Sequence, residues 1–145
     1  MEGYKFRLQK LLDIRLDKEE ESKRNFKEAQ RNKTLTEQKL LDLKEKQNKY
    51  TLGSSKETIV EQKIRRAFLD SVIRSIDEVS IDLNKKNQIL EEKRVELKQK
   101  QIERKTVETL KDKQLKAFIK EQQLIEQKTN DEFALYGFIR NHEGR

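Results

Sequence analysis

The stretch Thr51-Leu52-Gly53-Ser54-Ser55-Lys56-Glu57-Thr58 decides how this chain is read. It is the one internal place where the local chemistry says stop and turn. Gly53 is the only glycine between Gly3 and Gly137. A glycine just past a periodic run favours a left-handed helix cap. Ser54 follows, with Glu57 three residues on, the spacing of a capping box that opens a new helix. The stretch therefore predicts one helix over about 5–50, a tip loop over about 51–56 or as far as 66, and a second helix over about 57–140.

The flanking sequence supports helices on both sides. Only 32% of the 145 residues are hydrophobic and 42% are charged, with a mean hydropathy of −1.09. That is too polar for a globule with a sizeable core, and leaves either disorder or helices with a narrow apolar stripe. The chain has no proline and is rich in Lys, Glu, Gln, Leu and Arg, which favour the helix.

Before the loop, steps of four and three residues run unbroken through Leu8, Leu12, Arg15, Glu19, Ser22, Phe26, Ala29, Lys33, Thr36, Leu40, Leu43, Gln47 and Tyr50. This is a heptad seam, weakened because only seven of its thirteen positions are apolar. After the loop, Leu69, Val72, Ile76, Val79 and Leu83 form a tighter seam. The phase continues through Lys86, Leu90, Lys93, Leu97, Lys100, Arg104, Val107, Lys111, Gln114, Phe118, Glu121 and Ile125, then Lys128, Glu132, Leu135 and Ile139. The expected fold is all-α, a single long antiparallel two-helix coiled-coil hairpin with a longer second helix. A first helix of this length spans about 65 Å and the second about 130 Å. Folding at Gly53 places Leu8 opposite roughly Ile102 to Val107. The rest of the second helix then overhangs and ends in Phe133-Ala134-Leu135-Tyr136-Gly137-Phe138-Ile139. An exposed apolar cluster of this kind awaits another protein. The alternative is that Thr129-Asn130-Asp131 breaks the helix and the tail folds back on Tyr4 and Phe6.

Catalysis finds no support in the residues. Gly53-Ser54-Ser55-Lys56 lacks the second glycine and preceding strand of a phosphate loop. His142 is the only histidine and there is no cysteine, so no metal site and no cofactor are expected. Acidic runs such as Glu19-Glu20-Glu21 read as solvated faces, and a two-helix rod offers no water-excluding site. The chain is read as non-enzymatic. The 34 basic and 27 acidic residues, net +7, are interleaved. That pattern marks a solvated helix face, without the acid-free basic cluster or aromatic platform of a nucleic-acid binder. No apolar run is long enough to span a membrane and the N-terminus lacks a signal-peptide core. A cytosolic protein is expected, with membrane contact through a partner and no direct insertion.

The opening Phe6-Arg7-Leu8-Gln9-Lys10-Leu11-Leu12-Asp13-Ile14-Arg15, the length, the break and the closing Asp131-Glu132-Phe133-Ala134 resemble the FliJ family of flagellar type III export proteins. The resemblance implies a stalk-like coiled coil that inserts into the hexameric export ATPase ring. It also implies binding to the membrane export gate FlhA, escort of substrate export chaperones, and a place at the membrane of the flagellar base. By the same resemblance, gate contact maps to the tip, where Leu43, Tyr50, Phe68 and Val72 match in type. Lys39, Lys46, Ser75 and Val79 depart from the family pattern. The ring-facing end is the one carrying both termini. Tyr4, Phe6, Leu8, Phe133, Leu135, Tyr136, Phe138 and Ile139 are the residues expected to meet the ATPase there. Two other readings stay open: another stalk or scaffold of a secretion or rotary ATPase system, and a basic rod that binds nucleic acid or anionic membrane.

Overall fold

A computed structural model describes residues 3–144. It contains two α-helices among the described residues, α1 (Gln9–Thr51) and α2 (Ile59–Glu143). The chain is all-α, a helical hairpin with the longer helix second. α1 starts at Gln9 rather than near residue 5. Residues 3–6 are irregular, and a turn closed by the Gln9 amide on the Phe6 carbonyl, 3.2 Å, leads into the helix. The helices divide into two compact units, residues 18–101 and residues 1–17 with 102–145.

In the unit of residues 18–101, α1 and α2 run antiparallel from the turn. The seam read from sequence is the one that packs. Ala29 and Thr36 are buried, and Phe26, Lys33, Leu40, Leu43 and Gln47 are half-buried. On α2, Val72 and Leu90 are buried, with Leu69, Ile76, Val79, Leu83, Lys86, Lys93 and Leu97 half-buried. Lysine survives at seam positions because its methylene stem packs while the ammonium stays wet. The polar seam residues Glu19 and Ser22 are also buried. Thr36 donates its hydroxyl to the Asn32 carbonyl, 2.9 Å, while Ser22 Oγ is buried without a partner among the described residues.

In the other unit, Phe6, Leu12 and Val107 form the core, with Tyr4 and Leu11 packed against it. Arg15 answers for its seam position by donating from Nη1 to the Glu103 carbonyl, 2.8 Å. Lys111 donates to Gln9 Oε1 at 2.6 Å and lies 5.9 Å from the centre of the Phe6 ring. The irregular N-terminal residues carry the cover further along α2 than the heptad arithmetic predicts. The Tyr4 ring packs on Phe118, centroids 5.5 Å apart. The half-buried α2 positions there are Lys111, Leu115, Phe118 and Gln122, so the expected phase through Gln114 and Glu121 shifts by one residue. From residue 123 to 144 every residue is exposed.

One expectation is corrected, and one alternative falls. Gly53 does not take a positive φ, so it is no left-handed cap. Thr129-Asn130-Asp131 does not break the helix, and α2 runs on to Glu143. Thr129 hydrogen-bonds back to the Ile125 carbonyl, 2.9 Å, and so satisfies its hydroxyl within the helix instead of competing with it.

Candidate functional site

The turn between the helices is built around one arginine. Arg65 lies one step of four before Leu69, at a seam position, and reaches back across the loop. Its Nε donates to both carboxylate oxygens of Glu57, 3.1 and 3.2 Å. Its Nη1 donates to the carbonyls of Tyr50 and Thr51, 3.1 and 3.3 Å, at the end of α1. A guanidinium there satisfies carbonyls that lack helix partners and meets the negative end of the helix dipole. Gly53 makes room for it. A Cβ at residue 53 would stand 2.7 Å from Arg65 Nη2 and 3.0 Å from Glu57 Oε2. The glycine permits this close approach of a side chain and is not needed for its own φ.

The capping box that opens α2 is also displaced from the expected one. Thr58 Oγ1 accepts from the Glu61 amide and Glu61 Oε2 accepts from the Thr58 amide, both at 3.2 Å. This is the reciprocal pattern expected of Ser54 and Glu57, one turn later. Ser54 Oγ accepts only from the Lys56 amide, 3.3 Å. The physical reason is Arg65, which occupies the Glu57 carboxylate.

Above this clamp the Tyr50 and Phe68 rings meet edge to face, centroids 4.8 Å apart. They remain 38% and 41% exposed. With Glu57, Glu61, Ile64 and Arg65 they line a groove of about 350 Å³. The four residues expected at the tip therefore divide. Tyr50 and Phe68 come together and offer ring surface. Leu43 is half-buried and Val72 buried, both within the seam. Of the positions that depart from the family pattern, Lys39 and Lys46 are exposed and Ser75 and Val79 half-buried.

The eight residues expected at the terminal end divide as well. Phe6 is core and Tyr4 is held against Phe118, while Leu8 is partly exposed. Phe133, Leu135, Tyr136, Phe138 and Ile139 are all exposed on α2. Phe138 packs on the helix's own last turn, against the His142 ring, centroids 4.1 Å apart. At 3.6 residues per turn, Phe133, Ala134, Leu135, Tyr136, Phe138 and Ile139 point in all directions around the axis. A helix that is apolar all round is one that becomes enclosed.

Among the described residues no group of three His, Cys, Asp or Glu side chains is placed to hold a metal ion. No helix there is long and apolar enough to cross a membrane. What the fold presents is a helical hairpin with two unlike apolar surfaces, each within one unit, which defines an all-α coiled-coil hairpin protein. The sequence signature of the flagellar FliJ protein matches residues 4–143, nearly the whole chain, and the protein belongs to that family. It is a protein of flagellar export. No curated protein and no solved structure matches the chain significantly.

Nothing in the loop's own composition announces Arg65, Thr58 and Glu61 as its organisers. The signals were present nonetheless. Thr58-x-x-Glu61 has the same box spacing as Ser54-x-x-Glu57, and Arg65 falls on the backward extension of the α2 seam.

Proposed function

We propose that the protein is a non-catalytic stalk of flagellar export. It joins the hexameric export ATPase to the cytoplasmic part of the export gate FlhA, at the cytoplasmic face of the membrane. The observation that carries this reading is the run of exposed apolar residues around the whole circumference of α2 at Phe133–Ile139. Enclosure by a ring lumen answers such a run better than a flat groove, because a groove would leave one side of the helix in water. Tyr4, Phe6 and Leu8 support the base of that segment from the N-terminal side in this reading. The gate contact falls to Tyr50 and Phe68, rigid aromatics of the kind that dominate interfaces, with Leu43 and Val72 holding the seam beneath them. Escort of export chaperones rests on family membership alone.

The direct test is a pull-down of the purified full chain against the export ATPase and, separately, the cytoplasmic part of FlhA. Capture of both supports the reading. Capture of neither, by a chain whose circular dichroism shows it helical, overturns it.

A further inference from the structure

The first turns of α2 carry a second apolar surface that the seam does not use. Ile59, Val60 and Ile64 are 74%, 67% and 64% exposed, and Leu52 in the loop is 85% exposed. At about 100° per residue, Ile59, Val60 and Lys63 lie on the side of α2 away from Val72, and Ile64 lies at the edge of that side. They lie off the heptad phase. Between residues 49 and 66 there are five basic residues (Lys49, Lys56, Lys63, Arg65, Arg66) and two acidic ones (Glu57, Glu61), a net charge of +3. Both carboxylates are committed internally, Glu57 to Arg65 and Glu61 to the Thr58 amide. Lys56, Lys63 and Arg66 have no ion-pair partner among the described residues. The turn thus carries four exposed aliphatic side chains together with three cations that have no ion-pair partner among the described residues.

We infer that this end of the hairpin docks on an anionic lipid surface, Leu52, Ile59, Val60 and Ile64 entering the headgroup boundary and Lys56, Lys63 and Arg66 meeting lipid phosphates. Aliphatic groups combined with basic ones are the two signals that hold a peripheral segment on a bilayer. The charge of the surface calls for an acidic counterpart. Its aliphatic make-up suits a deformable lipid boundary better than a protein hot spot, which favours Trp, Tyr and Arg. Ile64 also lines the groove beside Tyr50 and Phe68, while Leu52, Ile59 and Val60 lie outside that lining. The inference does not rest on the proposed gate contact, and it departs from the expectation that membrane contact runs only through a partner.

The chain has no tryptophan, so a single introduced one reports its own site. Leu52→Trp and, as a control remote from the turn, Val95→Trp are made in the full chain. Each is mixed at physiological salt with vesicles of phosphatidylglycerol and phosphatidylcholine, or of phosphatidylcholine alone. The expected result is a blue shift for Leu52→Trp with the anionic vesicles only, and none for Val95→Trp. Adding Lys56→Glu and Lys63→Glu lowers the vesicle affinity by about tenfold or more, since each cation near an anionic surface matters individually. Equal shifts at both tryptophans would overturn the inference, by showing general attraction to a basic chain. So would no shift with any vesicle, whether or not the purified cytoplasmic part of FlhA produces one, because the surface would then not be a lipid site.

Discussion

The guanidinium of Arg65 grips the carboxylate of Glu57 at 3.1 and 3.2 Å, with both side chains only 16% exposed. This pair joins the start of α2 to the loop, and through Arg65 Nη1 it joins both to the last carbonyls of α1. The shape of the turn, and with it the Tyr50–Phe68 pair, depends on it.

Arg65→Ala is expected to destabilise the protein by about 1–3 kcal/mol, because a part-buried carboxylate and two helix-end carbonyls lose their donor. Gly53→Ala is expected to cost about 1 kcal/mol in the native background, since the new methyl displaces Arg65. In the Arg65→Ala background the same change should be neutral or stabilising. Residue 53 does not have positive φ, and alanine restricts the unfolded chain more than glycine does. Chemical denaturation of the four proteins gives the coupling. Equal effects of Gly53→Ala in both backgrounds would disprove the close-approach role.

Two serine or threonine residues in the turn have a glutamate three positions on, and only one caps α2. Thr58→Ala should cost about 1 kcal/mol and Ser54→Ala a few tenths at most. Thermal melts of the two single variants decide it. A larger loss for Ser54→Ala would return the helix start to the position first read.

Ser22 Oγ is buried with no hydrogen-bond partner among the described residues. Removing an unsatisfied hydroxyl relieves a desolvation penalty, so Ser22→Ala should stabilise the coil by about 0.5–1 kcal/mol. A loss of stability measured in urea would show that the hydroxyl is satisfied in solution.

Phe68 packs against Tyr50 yet keeps much of its ring in water, so packing and binding can be separated there. Phe68→Ala should cost about 1–2 kcal/mol in stability, below the range of a fully buried phenylalanine. It should weaken capture of the cytoplasmic part of FlhA by about tenfold or more. Unchanged capture with a lowered melting temperature would leave Phe68 a packing residue.

How much of this was legible follows from which forces act locally. The seam from Leu12 to Gln47 and from Leu69 to Lys111 could be read directly, because heptad phase depends only on spacing. Charged residues on that seam, such as Arg15 and Lys111, obey the phase and find partners across it. The turn could be located but not resolved. Ser54 and Thr58 carry identical local signals, and Arg65, eight residues beyond Glu57, decides between them. The overhang was overestimated because Tyr4 and Phe6 act through irregular backbone that no periodicity describes. The lipid-facing set at Ile59, Val60 and Ile64 stayed hidden because residues off a heptad phase carry no pattern of their own.

The central claim is that the exposed end of α2 is covered by the export ATPase. Its most direct measurement compares the full chain with one ending at Lys128 for binding to the assembled hexamer, with circular dichroism of both. Residues 129–144 are exposed throughout, so the shorter chain should keep the helicity of the part that remains. The account predicts that it no longer binds the ATPase. Undiminished affinity of the helical, shortened chain would contradict it.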